Sequence, residues 1–240
     1  CILERYISAN YQSYNEMNGD NINDVFVDES KRIWLANYPT GITVIDYRYE
    51  NYHWMKHSMG NKQSIVNDQV HAVIEDSDGD LWFGTSNGIS LYNSGTGEWH
   101  SFLSSFNHQL KDKNHIFITL CEVSPGIIWA GGYTSGIYKI NKADLSVEYF
   151  SPYLLSHINM RPDKYIRDMI KDSKGHIWSG GYYNLKCFDL ATNSVRLYPG
   201  VSSITAIAEK DSHNMWIGTA MGLYLLNRDS GKYEYIKLEA

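Results

Sequence analysis

Val70-His71-Ala72-Val73-Ile74-Glu75-Asp76-Ser77-Asp78-Gly79-Asp80-Leu81-Trp82-Phe83-Gly84-Thr85-Ser86-Asn87-Gly88-Ile89-Ser90-Leu91-Tyr92, continued by Glu98-Trp99-His100-Ser101-Phe102, decides how this chain reads. Val70, Ala72 and Ile74 alternate with His71, Val73 and Glu75, the period of two that places successive side chains on opposite faces of a strand. Asp76-Ser77-Asp78-Gly79 supplies residues that accept a tight reversal, so a second arm, Leu81 to Thr85, folds back on the first. Ser86-Asn87-Gly88 turns the chain again, with Gly88 where a positive φ is expected, and Ile89 to Asn93 forms a third arm. Glu98 to Phe102 makes a short aromatic outer strand. The whole is one four-stranded antiparallel blade.

The same devices recur on either side. Repeats run over residues 22–54, 70–102, 116–150, 166–198 and 204–236, and residues 1–14 resemble the last two strands of a further, half blade. Each repeat carries one anchor tryptophan, Trp34, Trp82, Trp129, Trp178 and Trp216, at separations of 48, 47, 49 and 38 residues. A period of this length means blades, because a four-stranded sheet cannot bury both faces alone and must stack on its neighbours. The expected fold is an all-β propeller of five full blades plus a half, with each tryptophan between adjacent blades. The first repeat lacks the turn glycine. In the fourth, Asn184 stands where the other copies have Gly, the replacement that a left-handed position tolerates best.

Composition agrees. Seven Trp and nineteen Tyr in 240 residues suit pleated, half-buried surfaces. A net charge of −6 leaves no basic face to track phosphates, which argues against nucleic acid as a partner. No apolar run reaches the roughly 18 residues of a membrane helix, and the opening residues do not read as a secretory leader, so a piece cut from a longer chain is expected. Cys1, Cys121 and Cys187 are unpaired in number and far apart in sequence, which predicts neither a disulfide framework nor a thiolate metal site.

The pattern hydrophobic-x-hydrophobic-x-Glu-Asp-x-x-Gly-x-hydrophobic-Trp-x-Gly-Thr-x-x-Gly-hydrophobic, clearest in the second, fourth and fifth copies, resembles the two-component regulator propeller repeat. The resemblance spans Ile22 to Ile236. It implies blades of a larger, seven-bladed propeller from the periplasmic sensor region of an inner-membrane, usually hybrid, two-component signalling protein, often one that responds to glycans. It also implies neighbouring sensor domains of the parent protein as partners. Exposed strand edges on such a piece would favour a homodimer.

Motifs that mimic catalysis dissolve on comparing the copies. Gly84-Thr85-Ser86-Asn87-Gly88 matches a nucleophile elbow, but that motif requires a strand-to-helix turn, and the fifth copy places Ala220 at the serine position. Asp76 to Asp80 begins like a calcium loop, yet Leu81 and Asn87 stand where the loop needs its Gly and its bidentate Glu. His53 and His57, four apart, fall on a strand running into a loop. The histidines otherwise lack metal-ligand spacing, so no metal and no cofactor is expected.

The variable features gather on one face. The long connections Lys56 to Gln69, Leu103 to His115 and Ser151 to Tyr165 lie on it, opposite the Asp-x-x-Gly hairpins. Tyr38, Tyr133, Tyr182 and Tyr183 from the turns after the anchor tryptophans join His115, Tyr153, His157, Arg161, Tyr165 and Arg167 from the blade entries. Aromatic faces with a few polar groups suit sugar rings, so Tyr38, His115, Tyr133, Arg161, Arg167, Tyr182 and Tyr183 are the candidate ligand residues, for an oligosaccharide. The leading expectation is a non-enzymatic sensor or scaffold. The alternatives are a propeller lyase using a His and a metal on the loop face, through His115 or His157, and a protein-interaction platform.

Overall fold

The computed structural model describes residues 21–39, 41–46, 51–105, 115–150 and 164–237, and every regular element within them is a strand. The half blade at residues 1–14 lies outside the described residues. Twenty strands form five antiparallel sheets, each meandering in chain order, and the five sheets make a β-propeller. The first blade is β1 (Asn21–Val27), β2 (Ile33–Tyr38), β3 (Gly41–Asp46) and β4 (Asn51–Met55). The second is β5 (Val70–Glu75), β6 (Leu81–Thr85), β7 (Gly88–Tyr92) and β8 (Trp99–Phe102). The third is β9 (Phe117–Ser124), β10 (Ile127–Gly132), β11 (Ile137–Asn141) and β12 (Ser146–Phe150). The fourth is β13 (Ile166–Lys171), β14 (Ile177–Gly181), β15 (Leu185–Asp189) and β16 (Ser194–Tyr198), and the fifth is β17 (Ile204–Glu209), β18 (Asn214–Thr219), β19 (Gly222–Asn227) and β20 (Lys232–Ile236). The first strand of each blade packs on the first strand of the next, so β1, β5, β9, β13 and β17 are innermost.

The core lies between blades. Trp34 packs with Ile65, Val70 and Phe83, and Trp82 with Phe102, Phe117 and Leu120. Trp129 packs with Ile166, Met169 and Phe188, and Trp178 with Tyr198, Ile204 and Ile207. Each burial removes apolar area worth about 4–6 kcal/mol as an upper bound. Trp216 departs from the expectation. It is only half-buried, with the Lys210 ammonium 5.1 Å from its ring centroid, because no described blade packs on that side of the fifth.

On the hairpin face, an aspartate binds each of three anchor tryptophans. The indole N–H of Trp34 donates to Asp28 at 2.9 Å, that of Trp82 to Asp76 at 2.8 Å, and that of Trp178 to Asp172 at 2.7 Å. In the second blade Asp76 Oδ1 also accepts the amides of Asp78 and Asp80, both at 3.0 Å, and Lys142 from the third blade donates to its Oδ2 at 2.7 Å. Arg228 of the fifth blade reaches Asp172 of the fourth in the same way. Glutamates complete the latch: Glu122 accepts both the amide and the hydroxyl of Ser77 at 2.9 Å, and Glu209 those of Ser173 at 2.8 Å. What reads as a hairpin turn is therefore also a clasp between blades.

At the turns, the first blade lacks the hairpin glycine as its sequence reads, and one expectation, at Asn184, is corrected. Lys31, not a glycine, occupies the hairpin position with φ 66°, where Gly79 and Gly175 have 83° and 84°. Asn184 does not take the left-handed conformation of Gly41, Gly88, Gly136 and Gly222. At Gly88 a Cβ would lie 2.5 Å from the Phe102 carbonyl oxygen, so that tight turn excludes a side chain. The fourth blade avoids the conflict by ending the β14–β15 ladder at Ser179 paired with Lys186, which widens the turn and lets Asn184 keep ordinary backbone angles.

The connection Lys56 to Gln69 is likewise a packed strap and not an open loop. Ile65 is fully buried in the core between the first two blades, the His57 ring nitrogen contacts the Ile65 carbonyl at 2.8 Å, and Asp68 accepts the His57 amide at 2.6 Å. Cys121 and Cys187 are buried free thiols in β9 and β15.

Candidate functional site

Each innermost strand carries a one-residue irregularity near its first residues. Pairing skips Asn23 in β1, His71 in β5, Ile118 in β9, Arg167 in β13 and Thr205 in β17. A bulge re-aims the extra side chain. Repeated in every blade, it sets five side chains around one end of the axis, on the face opposite the clasps. That this is the loop face follows from the hydrogen bonds at the blade entries: the Gly88 amide donates to the His115 carbonyl at 2.7 Å, Gly136 to Lys164 at 2.9 Å, and Ser203 to Tyr182 at 3.1 Å.

The residue after each bulge is Asp24, Ala72, Thr119, Asp168 or Ala206. The two carboxylates join neighbouring blades. Asp24 accepts the amides of Val25 and Val73, both at 2.9 Å, and Asp168 accepts those of Met169 at 2.8 Å and Ile207 at 2.5 Å. Burial raises both pKa values despite these bonds, and the charge of Asp24 adds to the rise at Asp168.

His71 stands at the centre of a short chain. The Asn23 amide donates to the Val70 carbonyl at 3.1 Å and meets His71 Nδ1 at 3.4 Å. His71 Nε2 lies 2.8 Å from Ser86 Oγ, and the ring packs at 5.9 Å from Tyr38. Burial, followed by the charge of Arg167, lowers the His71 pKa, so the ring is neutral, with Nδ1 accepting and Nε2 donating to Ser86. Arg167 occupies the equivalent bulge of β13.

A serine within reach of a histidine invites a nucleophilic reading. The amides around it refuse one: Ser86 N–H donates to Gln69 at 2.9 Å, Asn87 N–H to Thr85 Oγ1 at 3.1 Å, and Gly88 N–H to His115. No amide in the turn remains to form an oxyanion hole.

Beside this mouth runs a ladder of tyrosines. Tyr133 meets Tyr165 edge-on at 5.2 Å, and Tyr165 meets Tyr182 at 4.5 Å with planes 34° apart. Tyr133, Tyr182 and Tyr183 are exposed, the last two because the widened fourth-blade turn projects them. Tyr38 lies apart, against His71. His115 has a structural position, its Nδ1 2.8 Å from the Leu103 carbonyl. Tyr153, His157 and Arg161 lie outside the described residues. Among the described residues no three His, Cys, Asp or Glu side chains stand together to hold a metal. The sequence reading missed Asn23, Asp24, His71, Ser86 and Asp168. The signal was there: aligning the repeats puts an acid in two innermost strands where the other copies have Ala or Thr.

The comparisons with known proteins bear on the fold. Residues 64–87 match the model of the two component regulator propeller family. No match was found among curated proteins. Among solved structures, the chain is similar to the extracellular domain of BT3049, described as a hybrid two component system of B. thetaiotaomicron, with 19% identity and a TM-score of 0.75 over 94% of this chain and 30% of that one. It is similar to the corresponding domain of BT4673 from the same organism, with 17% identity and a TM-score of 0.69 over 92% and 28%. It also resembles virginiamycin B lyase from Staphylococcus aureus, with 14% identity and a TM-score of 0.71 over 95% and 72%. The chain thus spans less than a third of the two component system domains it resembles.

Proposed function

We propose that this chain is part of the periplasmic sensor of a membrane two-component signalling protein, and that its loop face binds an oligosaccharide without transforming it. The observation that carries the reading is the solvent-open ladder of Tyr133, Tyr165 and Tyr182 next to a polar axial mouth. Stacked phenol rings offer flat apolar area to the CH faces of sugars, while Ser86 offers a hydroxyl. The regulator propeller repeat at 64–87 and the likeness in fold to two component system extracellular domains support the signalling context. Binding would bias two arrangements of a larger sensor, and neighbouring domains would carry the output.

Calorimetry against a panel of oligosaccharides tests this. Binding is expected, with Tyr182→Ala weakening it about tenfold, the loss of roughly 1.4 kcal/mol of stacking. A tight protein partner with no saccharide binding at all favours the interaction platform instead. The similarity to a lyase gives the catalytic alternative one test: metal-dependent cleavage that vanishes in His115→Ala would displace the sensor reading. The tie of His115 to the Leu103 carbonyl speaks for packing.

A further inference from the structure

Arg167 is a cation that the fold does not consume. Arg32, Lys142 and Arg228 are each locked onto the carboxylate that holds an anchor tryptophan. Arg167, exposed at the bulge of β13, forms no hydrogen bond or ion pair with a described residue. Asp168, its neighbour in sequence, feels the Arg167 charge, but Asp168 and Asp24 each already accept one amide from their own strand and one from the next blade. An unpaired guanidinium at the end of an axis, two residues from a tyrosine that stacks on a second one, is arranged to receive an anion from outside.

The surroundings define what kind of anion. Tyr165 and Tyr182 give an apolar wall on the same blade as Arg167, and across the axis His71 holds Ser86 by donating to its oxygen at 2.8 Å. That contact leaves the Ser86 hydroxyl hydrogen for another acceptor. A ligand that satisfies the set has a charged group, a ring with an apolar face and free hydroxyl oxygens.

We infer that the axial mouth is a subsite for an acidic sugar, with the carboxylate or sulfate ester on Arg167, the neighbouring ring against Tyr165 and Tyr182, and a hydroxyl oxygen accepting from Ser86. The inference rests on the oligosaccharide reading and narrows it to charged saccharides.

The test is calorimetry of the full 240-residue chain against four probes: oligogalacturonate, its methyl ester, a chondroitin sulfate oligosaccharide and neutral xylo-oligosaccharide. At least one acidic probe is expected to bind tenfold or more tightly than the neutral ones, and the better of carboxylate and sulfate identifies the group read. Arg167→Met keeps the aliphatic stem and should erase that preference, while Arg167→Lys restores part of it, since a point charge replaces a two-pronged donor. Raising the salt concentration should weaken acidic binding and leave neutral binding unchanged. Because Arg167 is exposed and unbonded, an unchanged thermal midpoint in Arg167→Met verifies that folding is intact. Equal binding of charged and neutral probes, or a preference that survives Arg167→Met, overturns the subsite and leaves the oligosaccharide reading in place. Failure of every saccharide to bind overturns both.

Discussion

Lys31 holds a backbone conformation that disfavours side chains, at φ 66°, in a position where two other blades use glycine. A left-handed non-glycine residue costs about 1–2 kcal/mol, partly offset by the entropy that glycine loses on folding. Lys31→Gly should therefore stabilise the protein by about 0.5–1 kcal/mol, read as a higher urea midpoint with an unchanged slope. Asn184 teaches the converse. Its sequence position called for a left-handed residue, but the chain instead opened the turn by ending the β14–β15 pairing early. Local preference was legible in the residues, whereas the choice between straining a residue and shortening a ladder depends on the neighbouring strand's backbone.

The clasps belong to the scale of the element. Lys142 Nζ lies 2.7 Å from Asp76, 2.8 Å from Asp78 and 2.8 Å from Asp80, so one cation of the third blade serves the hairpin of the second. Lys142→Met should leave buried carboxylates uncompensated and cost about 3 kcal/mol at neutral pH, measured by denaturant unfolding. The hairpins also set an acid limit. At Asp76 burial acts to raise the pKa, but the hydrogen bonds from Lys142 and Trp82 outweigh it and hold the carboxyl below its ordinary 3.8. Asp28 and Asp172 are lowered in the same manner, burial being overcome by Trp34 and Arg32 and by Trp178, the His176 amide and Arg228. A depressed folded value gives stability that is present above 3.8 and lost as the pH falls through the folded pKa. Asp24 and Asp168, with raised values, act in the opposite direction, favouring the fold when protonated and losing that contribution as the pH rises through their folded values. Unfolding free energies should thus fall as the pH is lowered below 3.8, where the hairpin aspartates lose their charge, and the fall should be shallower in Lys142→Met, where Asp76 no longer holds its depressed value.

For the whole molecule, the anchor tryptophans grade the interfaces. Trp82→Ala empties a fully buried site between two blades and should cost about 3–5 kcal/mol, whereas Trp216→Ala, on the half-covered side of the fifth blade, should cost about 1–2 kcal/mol. Thermal unfolding of the two variants side by side checks the order. The blade count and the face bearing the variable turns could be read from the 22–236 repeats, because period and turn chemistry are local. The axial cluster could not be read in the same way: Asn23, His71 and Ser86 come from three separate stretches and meet only when bulges turn their strands, and Arg167 gains its meaning from what does not pair with it. Similarly, Lys142 and Arg228 follow the asparagines that end the third strands of their blades, a regularity whose purpose appears only once the preceding blade's aspartate is beside it.

Among the described residues, the hydrogen bonds of Asp24 with Val73, Lys142 with Asp76 and Asp168 with Ile207, and the ring contacts of Trp34 with Phe83 and Trp129 with Phe188, each join blades adjacent in sequence. Such a chain of nearest neighbours has a mechanical signature. Pulled from its two ends in an optical trap, it should lengthen in a staircase of discrete steps, each releasing one blade, because the load at any moment falls on the outermost surviving junction.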